Sequence, residues 1–250
     1  MTNLRVALCV FLSAGLVVGC ASAAPPTETI APSAGPTVVM SPSISPTDAA
    51  SPSPAALGSV ERPLEAGTYR LDLDQLPGGG TDFRAFMVTV PDGWHTFDGW
   101  NVYRDSVAAQ FWDVDQVFGH PCQWDGTLFQ PGPTVDDLTE ALVDIPLRKA
   151  TKPIDVNLDG YAGTYLEWSV PSDMDFSKCD PADGERHFES WTGKGWAHDR
   201  FQQGPGQVDR LWILDIDGSR LVIDAFSMPS ATAAERAELL SVVKSIRFAR

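Results

Sequence analysis

The chain has little positive charge, few cysteines and no long hydrophobic run. Lys and Arg together number 18 against 33 Asp plus Glu, which leaves a formal net charge of −15. Nucleic acids and anionic lipid surfaces are bound chiefly through Lys and Arg, so this balance argues against both as direct partners of the protein surface. Solubility would account for the acidity, and so would a partner that is cationic or carries divalent ions. Composition does not separate these two explanations.

The longest apolar run is too short to cross a bilayer. It covers the 13 residues from Val6 to Val18, behind the single early cation Arg5, whereas a transmembrane helix needs roughly 20 apolar residues. A secretory signal has an apolar region of about 7–15 residues and a small residue near the cut, and Gly19 is placed to be that residue. We therefore expect residues 1–19 to be a signal peptide.

The next residue indicates where the protein is held. Val17-Val-Gly-Cys20 resembles a lipobox, the cleavage and acylation signal of bacterial lipoproteins. The resemblance implies that Cys20 carries a diacylglyceryl group and further acyl chains such as palmitate, which would hold the chain on the extracytoplasmic face of the cell membrane. The alternative is that Cys20 lies by chance near an ordinary signal-peptide cut after Ala23.

The segment that follows lacks the composition of a folded core. From Ala21 to Val60 there are eight prolines, no aromatic residue and almost no charge. Such a segment cannot bury enough apolar surface to offset its ordering entropy, and its prolines favour extended conformations. We expect residues 20–60 to comprise the lipidated Cys and a disordered tether that acts as a spacer. A disordered segment without any role is the alternative.

Residues 61–250 are numerous enough for a single globular domain with a real core. They contain two cysteines, Cys122 and Cys179, and an isolated pair in an oxidising compartment predicts a disulfide. A metal site that adds His120 or His187 is the alternative, but these ligands lack the close spacing of zinc motifs. We expect neither a metal nor a cofactor.

The hydrophobic pattern of this domain predicts a mainly antiparallel sheet. Asp-Gly pairs at Asp159-Gly160 and Asp217-Gly218 each join two β-rich stretches, and Gly tolerates the positive φ that tight hairpin turns need. The stretches expected to form strands are Thr68 to Leu73, Ala85 to Val90, Asn101 to Arg104, Val107 to Val114, Ile154 to Leu158, Tyr161 to Val170, Arg210 to Ile216 and Ser219 to Phe226.

Two segments have helix-start signals and one apolar face. Thr134 is placed to cap a helix whose apolar residues recur at three- and four-residue spacing as far as Ile145, and Pro146 ends it. Thr232 and Glu235 match a capping box ahead of a second apolar stripe. Helices with one apolar face need a sheet to pack on. We therefore expect an α+β fold, a twisted, mainly antiparallel sheet with two packed helices.

Two segments near the ends of the domain resemble the opening and closing segments of PsbP-like domains. They are Phe86-Met-Val-Thr-Val-Pro-Asp-Gly-Trp94 and Leu240-Ser-Val-Val-Lys-Ser-Ile-Arg-Phe248. Between them, the stretches from Gly160 to Pro171 and from Gly204 to Asp215 are similar to uncharacterised actinobacterial lipoproteins. The likeness covers roughly residues 84–248. It implies a PsbP-like αβ sandwich used for binding and assembly, and it transfers no catalytic residue.

The sequence contains no convincing catalytic motif. Ser241-Val-Val-Lys244 has the spacing of serine acyl-transfer enzymes, but it lies at a helix end without the partner motifs. The four histidines show no spacing suited to a triad, and no pair of carboxylates stands out for glycoside chemistry. Asp155-Val-Asn-Leu-Asp-Gly160 opens like a calcium loop, but its twelfth position is Leu166 instead of Glu. We interpret that segment as a hairpin.

The tryptophans are the remaining indication of a ligand surface. Trp94 and Trp100 flank one turn, and Trp191 and Trp196 flank a Gly-Lys-Gly loop. Indoles suit stacking on sugars or anchoring a protein partner, so these four are candidate ligand-binding residues. The alternative is that they fill the core.

Together these features predict a noncatalytic, lipid-anchored binding or assembly domain. Its expected partners are the membrane, through the lipid on Cys20, and an unknown envelope ligand or protein. Two alternatives stay open. One is a cell-envelope hydrolase or transferase without a recognisable motif, and the other is a purely structural spacer of the cell wall.

Replacement of Cys20 by Ala tests the anchor. We expect the variant to lose membrane association because it cannot form the thioether to diacylglycerol, whereas Cys9→Ala in the signal region should keep it. Membrane fractionation measures the association with the membrane, and mass spectrometry measures the acylation of Cys20. An unmodified thiol at Cys20 in the exported protein, or a Cys20→Ala variant that stays equally membrane-bound, would contradict the lipoprotein interpretation.

Overall fold

A computed structural model describes residues 53–72, 85–182, 184–195 and 199–249. Cys20, the expected signal peptide 1–19 and most of the expected tether lie outside the described residues, so the predictions about them stay predictions. Within the described ranges, no helix is both long and apolar enough to pass through a bilayer.

The described part of the chain is dominated by strands. Its two helices are short, with 9 and 12 residues, and are α1 (Val135–Val143) and α2 (Ala233–Lys244). The strands are β1 Ala55–Ala56, β2 Arg62–Leu64, β3 Gly67–Leu71, β4 Phe86–Val90, β5 Trp94–Phe97, β6 Asn101–Arg104, β7 Val107–Trp112, β8 Val114–Phe118, β9 Leu128–Phe129, β10 Lys149–Ala150, β11 Ile154–Leu158, β12 Tyr161–Ser169, β13 Pro181–Ala182, β14 Glu185–Arg186, β15 Glu189–Gly193, β16 Asp199–Phe201, β17 Val208–Ile216, β18 Ser219–Ser227 and β19 Arg247–Phe248. This composition is compatible with the expected α+β class, but strand far exceeds helix.

The centre of the fold is a nine-stranded sheet, here called the main sheet. Its order is β10-β12-β17-β18-β7-β6-β5-β2, with β11 also paired to β12, and every pair is antiparallel. The hairpins β11–β12 and β17–β18 turn at Asp159-Gly160 and Asp217-Gly218, whose φ angles are all positive. The predicted hairpins and antiparallel pairing are therefore confirmed. Asn157 Oδ1 accepts a hydrogen bond from Gly160 N within the first turn, and the pairing of β11 with β12 bears out the hairpin interpretation of this segment.

One face of the main sheet is covered by α2 and by a smaller sheet of order β1-β3-β4-β19. The helix packs on β4, β7 and β18 and buries Leu239, Val242 and Val243. Between the sheets, the rings of Phe86 and Phe111 meet edge to face with centroids 4.8 Å apart. Because α2 begins at the predicted capping box of Thr232 and Glu235, its start was readable from sequence.

The described residues begin inside the segment expected to be tether. β1 pairs in parallel with β3, and the side chain of Leu57 is buried. Leu57 N donates to Arg70 O at 2.9 Å, and Arg62 Nη2 donates to Leu57 O at 3.0 Å. Pairing with a neighbouring strand orders residues 55–57, which local composition alone assigns to the tether before Glu61.

The opposite face of the main sheet is covered by α1 and by a third sheet of order β16-β15-β8-β9. The helix packs on β12 and β17, where Trp168 Nε1 donates to Leu142 O at 3.1 Å. Trp112 of β7 and Trp168 of β12 both contact Trp191 of β15, with centroids 6.1 and 5.8 Å apart. Thr134 caps α1, as predicted.

Cys122 and Cys179 form the predicted disulfide, next to the third sheet. Val170 and Phe188 pack with it in a small core of its own. His120 Nδ1 accepts hydrogen bonds from the backbone N of Cys122 and of Gln123. Both sulfurs and this nitrogen are therefore engaged, which removes the alternative of a metal site on these cysteines.

Removal of the disulfide should destabilise the domain. The cysteines are 57 residues apart, and closure of a loop of that length restricts the unfolded chain by about 4 kcal/mol on the entropic model. We expect the Cys122→Ala, Cys179→Ala double variant to lose about that much free energy of unfolding in urea titration. Wild type in reductant should match the variant. A loss of less than about 1 kcal/mol would contradict the expectation.

Candidate functional site

A cleft of about 620 Å³ opens between the main sheet and β16. Its floor comes from β6, β7 and β18, where the register places Gln110 opposite Asn101 and Ala108 opposite both Tyr103 and Phe226. These residues share the face of the main sheet that α1 and the third sheet cover elsewhere. A cleft of this size with a concave, mixed lining is typical of a small-molecule site. We call it the aromatic cleft.

Aromatic side chains make most of its apolar lining. The indoles of Trp100 and Trp112 meet at 4.5 Å between centroids and are almost completely buried, so they form the base. Phe97 at the rim is 43% exposed, and ring surface is therefore available to a molecule that enters. The six aromatic lining residues are Phe97, Trp100, Tyr103, Trp112, Phe201 and Phe226.

The structure brings one of the four suggested tryptophans, Trp100, to this cleft. Trp94 and Trp191 are fully buried. The indole N–H of Trp94 donates to Glu238 Oε1 of α2 at 2.6 Å, and Trp191 packs against two other indoles. Neither side chain presents a surface to a ligand, so the core-filling alternative describes them both. Trp196 lies outside the described residues.

Sequence reasoning missed most of the lining. Phe97, Tyr103 and Phe201 lie on three different strands, and no spacing along the chain connects the first two with the third. The alternation of side-chain direction along β6 and β7 could have placed Tyr103 and Ala108 on one face of a hairpin. It could not have shown that β16, a segment about 100 residues later, closes the cleft above that face.

A buried ion cluster supports the cleft from below. Arg200 of β16 is 2% exposed, and it contacts Asp209 of β17 and Asp224 of β18, both 0% exposed, at 2.6 Å each. Its third nitrogen, Nη1, donates to Phe201 O, and its guanidinium carbon lies 5.0 Å from the ring centroid of Phe226. All three nitrogens of this arginine therefore have acceptors within the protein.

A second arginine lies behind the first. Arg148 Nη2 donates to Glu189 O, Ser190 Oγ and Gln202 Oε1, at 2.8, 2.8 and 2.6 Å. Its guanidinium stacks over Trp168 at 4.3 Å. Burial lowers the pKa of Arg148 to about 9. Arg148 therefore links β15, the strand that precedes β16, to β12 of the main sheet.

The buried acids outnumber the buried arginines, and protonation corrects the excess. Burial, reinforced by the charge of Asp199 and opposed by the two arginines, raises the pKa of Glu189 to about 8. Glu189 Oε2 has no hydrogen-bond partner among the described residues. Burial also raises the pKa of Asp224 against the attraction of Arg200.

The acids with raised pKa do not line the cleft. Glu189 and Asp224 lie behind Arg200, and Asp113, whose pKa burial raises to about 6, lies on another cleft. At the rim, the hydrogen bond from Tyr103 to Glu61 raises the pKa of the phenol to about 12. In the described part of the chain, no group of three His, Cys, Asp or Glu is arranged to hold a metal ion.

Another cleft, of about 750 Å³, lies beside the start of α1. It is larger but has no aromatic lining residue among those described. Its arginine, Arg220, donates to the carbonyl oxygens of Gly132, Thr134 and Val114, which braces the loop before α1 against β8. Arg220 is therefore engaged in holding the fold together. Because this second cleft also offers no described ring face to a ligand, the aromatic cleft is the better candidate site.

Comparison with known proteins adds no assignment. A scan against protein-family models and a search of curated proteins both found no match to this chain. The functional argument therefore rests on the geometry and chemistry of the cleft.

The buried Glu189 should make stability depend on pH. Its pKa is raised in the folded protein above its ordinary value of 4.5, so the folded state binds the extra proton and the free energy of unfolding falls as the pH rises from about 4.5 to 8. Glu189→Gln, which mimics the neutral acid, should match wild type near pH 4.5. At pH 8.5 it should be more stable by about 2 kcal/mol or more, because a tenfold change in proton affinity is about 1.4 kcal/mol.

Urea unfolding across that pH range provides the measurement. The exposed acid Glu185 supplies the control, since Glu185→Gln should retain the wild-type profile. Parallel profiles for wild type and Glu189→Gln would show that Glu189 is ionised in the folded protein.

Proposed function

We propose that this chain is a lipid-anchored extracytoplasmic protein whose domain binds a small ligand in the aromatic cleft without catalysis. The observation that supports this proposal best is the cleft itself. It combines about 620 Å³ of space with six aromatic lining residues and a few polar groups, the composition that small-molecule sites share.

The supporting shell favours binding over chemistry. A general acid or base must reach the reacting atoms, whereas Glu189 and Asp224 do not line the cleft and Asp224 is bound to the guanidinium of Arg200. Arg200 in turn is committed to three acceptors. Groups locked in this way keep a wall in one position, which is what a preorganised binding site needs.

The anchor is part of the same proposal. The lipobox-like segment around Cys20 supports it, and so does the proline-rich stretch that follows. The net charge of −15 would keep the domain off an anionic bilayer, so attachment depends on the lipid. An extended tether between Cys20 and Ser53 would reach about 100 Å at about 3.1 Å per residue.

We also propose that the domain is PsbP-like. An antiparallel sheet with one helix on each face is compatible with the αβ sandwich that the segments Phe86 to Trp94 and Leu240 to Phe248 resemble. In the described structure these segments form β4, β5 and the end of α2 with β19, and β4 pairs with β19. The opening and closing segments are therefore neighbours in the fold.

A blocked cleft tests the binding proposal. Ala108 lies on the floor with 3% exposure, and an indole at this position would fill the space next to Phe226. We expect 4-fluorobenzyl alcohol to bind the full chain in lipid nanodiscs with a Kd of about 1 mM, as suits so few atoms. Ala108→Trp should weaken binding at least tenfold in ¹⁹F NMR, with empty nanodiscs subtracted.

Two further variants make the result interpretable. Phe97→Ala removes an exposed wall without touching the core and should weaken binding severalfold. Ala237→Trp, on the exposed side of α2, should leave it unchanged. If the probe binds Ala108→Trp and Phe97→Ala as tightly as wild type, the aromatic cleft is not the binding site.

A further inference from the structure

We infer that the ligand of the aromatic cleft is an organic cation, an ammonium group carried on an apolar or aromatic body. The inference rests on the proposed function, because it concerns the same cleft. It follows from what the described lining residues offer to a ligand: hydrogen-bond acceptors, carboxylates and ring faces, but among these residues no cation that is free to bind an anion.

The first observation concerns Arg200, the cation among the described lining residues. Its Nε and Nη2 contact Asp224 and Asp209 at 2.6 Å, and its Nη1 donates to Phe201 O. An anionic ligand would have to compete with two buried carboxylates for this guanidinium. Loss of either bond would leave a buried charge without its partner, which is strongly unfavourable. The cleft is therefore unsuited to carboxylate or phosphate ligands.

The second observation is an acceptor without a donor. Gln110 projects from β7 into the cleft, and its Oε1 is buried with no hydrogen-bond partner among the described residues. A buried acceptor left in this state is unfavourable. Because Oε1 is enclosed, the Gln110 side chain would have to turn toward the cleft before an ammonium N–H could satisfy this oxygen, and a carboxylate there would be repelled.

The third observation is the charge of the rim. Glu61, Asp105 and Asp199 line the cleft, and all three are exposed. The charge of Asp105 is partly balanced by Arg104, whose Nε lies 3.5 Å from Asp105 Oδ2. Glu61 is held at the rim by the hydroxyl of Tyr103, which donates to it at 2.7 Å. Carboxylates around an apolar cavity concentrate field lines within it and raise the local concentration of cations.

The fourth observation is independent of these charges. A cation is attracted to the face of an aromatic ring, and the protein already uses this interaction at the cleft, where the Arg200 guanidinium lies 5.0 Å from the Phe226 centroid. Phe97 is 43% exposed and offers ring surface to a second cation. The ring faces, the acceptor without a hydrogen-bond partner and the carboxylates at the rim thus all favour an organic cation.

Three probes of nearly equal size and shape test the inference. They are 4-fluorobenzylammonium, 4-fluorobenzyl alcohol and 4-fluorobenzoate, titrated by ¹⁹F NMR against the full chain in nanodiscs of neutral lipid at pH 7. We expect the ammonium probe to bind at least fivefold more tightly than the alcohol, and the benzoate to bind more weakly than either. Ala108→Trp should weaken the binding of the ammonium probe.

Charge-neutralising variants identify the source of the preference. The double variant Glu61→Gln, Asp199→Asn should reduce the ratio of alcohol Kd to ammonium Kd at least twofold. Asp173→Asn is the matched control, because Asp173 is exposed and does not line the cleft. It should leave the ratio unchanged.

The outcomes separate the two proposals. If the alcohol binds in the cleft and the ammonium probe binds no better, the ligand is not a cation and the binding function stands. An ammonium preference that the double variant leaves unchanged also overturns the inference, since the rim would then play no part. If none of the three probes binds, the proposed function itself fails.

Discussion

The contact of Arg200 with Asp209 and Asp224 is the interaction on which the cleft depends. Arg200 belongs to β16 of the third sheet, whereas the two aspartates belong to neighbouring strands of the main sheet. The cluster therefore joins two sheets that share no strand. Removal of one partner from such a buried ion cluster typically costs about 3–5 kcal/mol, because a charge remains without compensation. Without Arg200, the wall formed by β16 would lose its ion pairs to the floor.

The strongly perturbed acids of this protein lie outside the lining of the aromatic cleft. Burial raises the pKa values of Glu189 and Asp224, and the neighbouring arginines oppose that rise. Arg148 extends the network to the residues around the disulfide, stacking on Phe188 at 4.7 Å. A rigid base of this kind leaves the cleft above it with aromatic walls and acceptors, which suits recognition of a cation.

Local sequence signals predicted the parts of the fold that local interactions determine. Asp159-Gly160 and Asp217-Gly218 specified hairpins because only turns with positive φ close such short loops. Thr134 and Thr232 specified helix starts because a side-chain oxygen satisfies backbone N–H groups there. The third sheet was not predicted, since its strands are short and β15 carries a register shift beside Trp191.

The sequence by itself determined the class of fold, the two capped helices, the disulfide and the acidic surface, because each follows from residues close in the chain or from simple counts. Only the tertiary structure decided which aromatic residues are accessible. Trp94 and Trp191 have the same chemistry as Trp100, yet two are enclosed by packed layers and one reaches a cleft. Exposure depends on which distant segments cover a side chain, and that depends on how the sheets pack.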